Sequence, residues 1–288
     1  MILVDFNQIC IANLMMQLKH IGPDFDEDMI RHLILNSLRY NRQKFGEDYG
    51  ELVICCDDRN YWRKDIFPYY KAHRKKDRET SPLDWNKIFE TLNKVRSELK
   101  ETFPYKVIQI DRAEADDIIA SICHKYGQLG IKNGSAEPIL ILSSDKDFAQ
   151  LQKYANVEQY APNTKKWIRI SNPERYLREH ILRGDRGDGI PNFLSKDSSI
   201  VNGERQKPIS AKKIDAWSSL DPVDFCDTNM LRNYSRNETL VNLDCVPEYI
   251  QNSIIDMFDK YEEPSRKGLL NYFIKNRLSN LTEHIGDF

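Results

Sequence analysis

The sequence predicts an α/β fold, with a mainly parallel central sheet over residues 1–170 and a smaller all-helical domain over 171–288. Short apolar, β-like runs alternate with helix-period segments through the first half, and such alternation builds a parallel sheet with helices on both faces. After about residue 171 the strand signal fades, leaving helix-like segments separated by Asn, Gly, Pro and Ser. A third observation bears on chemistry as well as fold, because acids close the apolar runs. Ile2-Leu3-Val4 ends in Asp5, and Leu52-Val53-Ile54-Cys55-Cys56 ends in Asp57 and Asp58. Val107-Ile108-Gln109-Ile110 ends in Asp111, with Glu114, Asp116 and Asp117 close behind. Ile139-Leu140-Ile141-Leu142-Ser143-Ser144 ends in Asp145, followed by Asp147. In an open α/β sheet the carboxyl ends of parallel strands border one crevice, the usual ligand site.

Taken in order, the first strand covers 2–6, and a helix follows around 25–45 with Ile30, Leu33, Ile34 and Leu38 on one face. A strand at 51–57 leads into a basic, aromatic stretch over about 59–80. The next helix runs from about 84 to 101, its start marked by Ser81-Pro82 with Pro at an early helical position. A strand at 105–111 precedes a helix at 114–126, and a strand at 137–144 precedes a helix from about 146. Runs 157–161 and 166–170, joined by Pro162-Asn163-Thr164-Lys165, read as a hairpin at the sheet edge. Helices are then expected near 173–183, 210–217, 222–232, 247–261 and 266–278. The segment 184–205, glycine-bearing and poor in apolar residues, reads as a long loop of the kind that carries function.

At 288 residues the chain can form one large domain or two ordinary ones. It is 40% hydrophobic and 30% charged with a net charge of −2, so its overall balance does not announce a nucleic-acid binder. That average hides segregation, since acids gather at strand ends and bases elsewhere. The six cysteines show no C-x-x-C spacing, which excludes a zinc finger or disulfide framework and fits reduced thiols. The N-terminus has no basic, apolar leader pattern, and no stretch reaches the roughly 20 apolar residues that span a bilayer. A soluble, cytoplasmic monomer without membrane contact is expected, its chain opening directly into the first strand.

Each acid alone is weak evidence, because a carboxylate after a strand is often a helix N-cap. That reading is preferred for Asp58 and Asp111. Glu114-Ala-Asp-Asp117 is different: three acids in four residues repel, and a helix macrodipole offsets only about 0.3–1 kcal/mol for each. Residues 114 and 117 share a helix face, so this group is expected to point as a set into the crevice. Clustered carboxylates raise one another's pKa and need a cation to stay ionised. Oxygen donors suit Mg²⁺ or Mn²⁺ better than zinc. Six or more carboxylates exceed the need of one Mg²⁺, whereas two ions about 3.5–4 Å apart would use them in displacement at phosphorus. The competing readings are a surface acidic patch and a structural calcium site.

From 59 to 78 the chain carries Arg59, Arg63, Lys64, Lys71, Arg74, Lys75, Lys76 and Arg78 against Asp65 and Asp77. Tyr61, Trp62, Phe67, Tyr69 and Tyr70 are interleaved. Bases with aromatics form surfaces that contact phosphates and stack bases of single strands. The bland alternative is a solvated face with its aromatics in the core. The six histidines (His20, His32, His73, His124, His180 and His284) cluster nowhere in sequence and read as structural or exposed.

Val4-Asp5-Phe6-Asn7, Glu114-Ala-Asp-Asp117, Ser144-Asp145-Lys146-Asp147-Phe148-Ala149-Gln150-Leu151 and Gly184-Asp185-Arg186-Gly187-Asp188-Gly189-Ile190-Pro191 together resemble the signatures of the flap endonuclease (5′-nuclease) family. Tyr61-Trp62-Arg63-Lys64-Asp65, Tyr69-Tyr70-Lys71, Asn271-Tyr272-Phe273 and Leu278-Ser279-Asn280-Leu281-Thr282 narrow the likeness to its T-even bacteriophage branch. The resemblance implies a PIN-like α/β nuclease domain followed by a helical DNA-binding domain. Implied activity is Mg²⁺-dependent 5′→3′ exonuclease, flap endonuclease and ribonuclease H cleavage, removing RNA primers in phage lagging-strand replication. It places Asp5, Asp57, Glu114, Asp116, Asp117, Asp145, Asp147 and Asp188 at metal positions for two Mg²⁺, with Mn²⁺ a substitute and Asp185 in an outer role. Asp5, Asp145, Lys71 and Arg74 become the catalytic set; Lys71 and Arg74 would steady the scissile phosphate at the base of an arch, with Arg63 and Lys64 on the same strand.

One departure from the cellular family stands out. Where a glycine-rich hairpin grips duplex DNA, Phe193–Lys207 is a longer polar insertion, so the grip is expected to fall to Arg205, Lys207, Lys212 and Lys213. Expected partners are 5′-flap or branched DNA and RNA–DNA hybrid, with a phage single-strand-binding protein and sliding clamp; so short a lead before Asp5 leaves no N-terminal peptide for the clamp. The rivals are a PIN-type single-stranded ribonuclease, disfavoured by the added helical domain, and a non-catalytic binder of branched DNA, disfavoured by the complete acid set. A dehalogenase-type phosphatase would need an acid where Asn7 stands.

Overall fold

The computed structural model describes residues 1–22, 24–128 and 136–288. Its sheet has six strands: β1 (Ile2–Asp5), β2 (Leu52–Cys55), β3 (Lys106–Ile108), β4 (Ile139–Leu142), β5 (Val157–Ala161) and β6 (Lys166–Ile168), in the order β3-β2-β1-β4-β5-β6. All pairings are parallel except the β5–β6 hairpin at the edge. Strands β1, β2 and β4 are buried throughout, as a sheet covered on both faces requires. The strand order reverses direction between β1 and β4, which is where an open parallel sheet leaves its crevice. Asp5 and Asp145 sit at that point.

Six helices accompany the sheet: α1 (Phe6–Ile21), α2 (Glu27–Tyr49), α3 (Trp62–Ile66), α4 (His73–Glu79), α5 (Trp85–Thr102) and α6 (Ala115–Tyr126). Alternation along the strands assigns the two faces. Ile2, Val4, Ile54, Leu140 and Leu142 join the core under α1, α2 and α5, while Leu3, Val53, Cys55, Ile139 and Ile141 join the core under α6. A 3₁₀ helix at Lys146–Lys153 follows β4. Beyond the hairpin come α7 (Pro173–Arg183), α8 (Ala211–Trp217), α9 (Pro222–Phe225), α10 (Thr228–Val241), α11 (Glu248–Asp259), α12 (Leu269–Lys275) and α13 (Ser279–Thr282). Among the described residues no helix is long and apolar enough to cross a membrane.

Several elements differ from the sequence expectation. A full helix, α1, occupies Phe6–Ile21, where none was anticipated. Its buried stripe of Ile9, Cys10, Leu14 and Leu18 is diluted in sequence by Asn7, Gln8 and Asn13, and the Asp5 side chain caps it at the Gln8 N–H (3.2 Å). Helix α5 starts at Trp85, where the sequence placed it, but its cap is Asp84 rather than the Ser81-Pro82 signal: the Asp84 carboxylate accepts from the Lys87 N–H at 3.0 Å and satisfies an orphan donor there. Strand β3 stops at Ile108, where a turn closed by Ala113 N–H to Ile110 O carries Arg112 at φ +67°. The helix expected over 222–232 breaks at Cys226, and Asp227 caps a new one. Between Gly184 and Ser210 the described backbone holds only the isolated Asp185–Ile190 bridge, as expected of a loop.

Not all of the helical half stands apart from the sheet. Ile181, Leu182, Phe193, Ile214 and Tyr234 form a separate small core. Helix α11, however, adds Ile250, Ile254 and Phe258 to the core under α6. Tyr272, Phe273, Leu281 and Phe288 return to the opposite face, where Phe273 packs against Phe103 and Phe288 with ring centroids at 6.0 and 5.2 Å. Phe273→Ala should therefore destabilise the whole fold by about 3–5 kcal/mol, read as a lower midpoint of a single denaturant transition. A native-like midpoint for the sheet would show that the tail is not part of this core.

Candidate active site

The crevice is built from strand ends. Asp5 closes β1 and accepts from the Ser143 hydroxyl at 3.0 Å. Asp57 follows β2, held by the Asn7 amide (2.8 Å) and the Ala115 N–H (2.8 Å). Asp116 lies in the first turn of α6, and Asp145, after β4, caps the 3₁₀ helix through the Asp147 N–H (3.0 Å). These four carboxylates line one hollow of about 570 Å³ together with Asn7, Gln8, Lys71 and Arg74.

Their electrostatics are unresolved by the protein itself. Burial, then the charges of Asp57 and Asp145, push Asp5 up to about 8. Asp145 is exposed at the mouth of the hollow, yet the protein packed around its carboxyl, and then Asp147, push it up to about 7. Asp116 is driven well above the ordinary range by burial, Asp145 and Asp5. Asp57 is also raised by burial, with Lys71 opposing. Such a set fits a divalent cation: the donors are carboxylate oxygens, and a hard cation would relieve the repulsion that helps to raise their pKa values.

Three other acids are already neutralised. Glu114 accepts from Arg63 Nη1 (2.9 Å), the Tyr70 hydroxyl (2.9 Å) and Lys71 Nζ (2.5 Å). Burial opposes its charge, yet Lys71 and Arg63 hold its carboxyl below the ordinary value. Asp188 accepts from Arg74 Nη2 (2.6 Å) and the Tyr70 hydroxyl (2.9 Å), with Lys71 Nζ at 3.5 Å, and is likewise depressed against its burial. Asp117 is fully enclosed and spent on Arg63 Nη2 (2.8 Å), Trp62 Nε1 (3.0 Å) and the Glu114 N–H (2.9 Å). Glu114 and Asp117 thus do not face the crevice as a set. Asp116, between them, does.

The basic stretch divides in the same way. Arg63 is only 2% exposed. It is paired with Glu114 and Asp117, and its Nε donates to Leu240 O at 2.9 Å, so it is not a strand-contacting surface group here. Trp62, Phe67 and Tyr70 are buried, which leaves Tyr69 exposed and Tyr61 partly so; most of the aromatics are core, as the bland reading had it. Lys64 is exposed, its Nζ 4.4 Å from the Tyr61 ring centroid. Lys71 and Arg74 do reach the hollow. Lys71 adopts φ +54°, an unfavourable conformation for a side-chain-bearing residue, and its N–H is held by Asp188 O at 2.7 Å. Arg205, Lys207, Lys212 and Lys213 are exposed and line neither acid-bearing hollow; Arg205 borders a separate one with His73, Asp77 and Arg186. Asp58 accepts from the Asn60 and Arg112 N–H groups, a local turn role, and Asp111 is exposed.

A second acid group adjoins the first. Asp147, Asp185 and His180 place donor atoms within 4.8 Å of one another. His180 Nε2 lies 2.9 Å from Asp147 Oδ1 and 3.5 Å from Asp185 Oδ2. Burial opposes charge on this imidazole, but Asp147 outweighs it and the pKa is raised. His180 therefore stands beside two of the acids, a placement that the sequence reading of the histidines did not anticipate. No sequence signal marked it, since its spacing to Asp185 matches no ligand pattern. Asn7, Ser143 and Tyr70 were also missed as partners of the acids.

An open, mainly parallel sheet whose strand-end carboxylates line one crevice is here the core of a resolvase-like α/β nuclease domain, the class that the family match defines. Residues 29–180 match the family described as 5′-3′ exonuclease, N-terminal resolvase-like domain, and residues 171–288 match that described as T4 RNase H, C terminal. The chain belongs to the flap endonuclease (5′-3′ exonuclease) family. It is 36% identical over 299 residues to the ribonuclease H of Enterobacteria phage T4, covering 99% of this chain and 95% of that protein. It is 32% identical over 192 residues to a 5′-3′ exonuclease of Buchnera aphidicola subsp. Schizaphis graminum, covering 59% of this chain and 58% of that protein. Solved structures sharing the fold include bacteriophage T5 5′-exonuclease with divalent metal ions (zinc) bound, with a TM-score of 0.55 at 16% identity, covering 90% of this chain and 98% of that one. Another is bacteriophage T5 flap endonuclease in a pseudo-enzyme–product complex with DNA and metal ions, with a TM-score of 0.57 at 17% identity, covering 90% and 97%.

The raised carboxyls have a measurable consequence. Asp5 and Asp145 move from an ordinary 3.8 to about 8 and about 7 on folding, so between those limits the folded chain holds protons that the unfolded chain has lost. Metal-free stability should therefore fall as pH rises from about 5 to 8.5, because stability decreases wherever the native state binds more protons. Thermal melts in chelator at several pH values check the slope, and excess Mg²⁺ should flatten it. A metal-free melting temperature that climbs through pH 6–8 would contradict the assignment.

Proposed function

We propose that this nuclease is a Mg²⁺-dependent 5′→3′ exonuclease and flap endonuclease with ribonuclease H activity, which removes RNA primers from lagging-strand fragments during phage replication. The observation that carries the reading is the convergence of Asp5, Asp57, Asp116 and Asp145 in one hollow with Lys71 and Arg74 beside them. The similarity to a phage ribonuclease H along nearly the full chain supports the substrate class.

In this reading Asp5, Asp57, Asp116 and Asp145 would hold one Mg²⁺, and Asp147 with Asp185 would hold a second divalent cation. Such ions, when bound, would lower the pKa of water and offset charge gathering on the phosphate. Lys71 and Arg74 contact the scissile phosphate and stabilise its extra negative charge. Glu114 and Asp188 act at one remove, fixing the directions of those two cations, and Asp117 fixes Arg63 beneath them. The P–O3′ bond breaks as water adds, leaving a 5′-phosphate and a 3′-hydroxyl. Exposed Arg205, Lys207, Lys212 and Lys213 extend the basic surface toward the duplex.

The direct test is product mapping on a 5′-labelled flap duplex and an RNA–DNA hybrid, with and without Mg²⁺; short 5′-phosphate products that require Mg²⁺ are expected. A linear single-stranded RNA cut faster than the flap would favour the rival ribonuclease reading. Asp145→Asn should abolish cleavage while flap binding persists, since Asn can keep the helix cap but lacks the charge. Near-normal turnover by that variant would sink the metal assignment. Lys71→Ala should lower kcat by about 10²–10³-fold, the scale of one lost charge-stabilising donor, measured in single-turnover assays at saturating enzyme.

A further inference from the structure

We propose that His180 supplies a nitrogen donor to the Asp147–Asp185 carboxylate pair, so that the second cation position takes a first-row transition ion in preference to Mg²⁺. This rests on reading the crevice as that of a divalent-metal nuclease. Three separate pieces of chain meet here: the 3₁₀ helix after β4, helix α7, and the loop after α7. Their donor atoms lie within 4.8 Å of one another. His180 is only 16% exposed at its side chain, and its Nε2 faces both carboxylates, at 2.9 Å from Asp147 Oδ1 and 3.5 Å from Asp185 Oδ2.

The surroundings hold that arrangement in place. The His180 ring lies nearly parallel to Tyr176, one turn back on α7, with centroids 6.1 Å apart and planes at 21°. The His180 carbonyl accepts from the Gly184 N–H at 2.9 Å, the bond that closes α7. Gly184 sits at φ +66°, and a Cβ there would lie 2.4 Å from Ile190 O, so the turn that delivers Asp185 opposite the imidazole requires glycine. Asp185 Oδ1 accepts from the Asp188 N–H at 3.0 Å, which leaves Oδ2 directed at His180. Among the described residues, no Lys or Arg pairs with Asp147 or Asp185.

The two cation positions thus differ in donor chemistry. Asp5, Asp57, Asp116 and Asp145 offer oxygen alone, which suits Mg²⁺, whereas an imidazole nitrogen raises affinity for transition ions. The competing role for His180 is that of a protonated placeholder, paired with the two aspartates until a cation displaces it.

Pulsed EPR of the full-length chain loaded with Mn²⁺ separates these roles. Nitrogen hyperfine coupling is expected in the wild type and should vanish in His180→Gln. Affinity at one of the two Mn²⁺ positions should fall about tenfold or more, with the other unchanged. His180→Asp, which restores a carboxylate, should shift the preference of that position toward Mg²⁺ in competition titrations. Two bound Mn²⁺ without nitrogen coupling, coupling that persists in His180→Gln, or an unchanged preference in His180→Asp would each overturn the proposal and leave the nuclease reading standing. Failure of the wild-type chain to take up Mn²⁺ would overturn both.

Discussion

Everything in this structure turns on the repulsion among carboxylates gathered at the carboxyl edge of the sheet. In a buried crevice such repulsion is screened far less than in water. The fold meets it in two ways, side by side. Glu114, Asp117 and Asp188 are matched with Arg63, Lys71 and Arg74; the pKa values of Glu114 and Asp188 fall, while burial still raises Asp117 against its Arg63 partner. Asp5, Asp57, Asp116 and Asp145 are left without such matching, and all four rise. The division separates acids paired with the protein's own cations from acids that are not. It follows neighbours in space rather than in sequence, since Asp116 and Asp117 are adjacent yet fall on opposite sides of it.

The open acids also serve the local fold. Asp5 is both the last residue of β1 and the N-cap of α1, and Asp145 caps the 3₁₀ helix after β4. A strand that must end at a crevice and a helix that must begin there share one residue, so site geometry and strand-to-helix turn are set together. This economy also explains why each acid alone was ambiguous in the sequence. Capping and metal binding select the same residue types at the same place, and only convergence distinguishes them.

How much could be read from the sequence follows from the range of the interactions involved. Buried parallel strands are short continuous apolar runs, so β1, β2 and β4 and their terminal acids were legible, as was the helical segment near 173–183. Helix α1 was not, because its first turn is polar where it borders the crevice. Arg63 looked like its basic neighbours; its burial depends on Leu240, 177 residues away. His180 was invisible for the same reason, because its role exists only once α7 is laid against the turn after β4. The return of Phe273 and Phe288 to the first core had no local signature either. Period and capping speak for a single element, whereas these contacts are properties of the assembled chain.

Those long-range contacts also explain how the helical half reaches the chemistry. Gln150, on the 3₁₀ helix that Asp145 caps, donates to Val241 O and accepts from the Leu243 N–H. Arg63 bonds Leu240 O from the other side, and Asn237 and Arg236 hold Pro191 O, just beyond Asp188. The end of α10 is thereby fastened to the sheet, to the base of the basic segment and to the loop carrying Asp185 and Asp188. Lys71 needs such support, because its backbone is in a left-handed conformation that a lysine does not adopt without cost. Its N–H is held by Asp188 O and its ammonium by Glu114, so the second half of the chain supplies one of the two restraints on that cation. Helix α10 thus reaches Lys71 through Pro191 and Asp188, a path of a few bonded groups, and the helical half is in that sense part of the wall of the crevice.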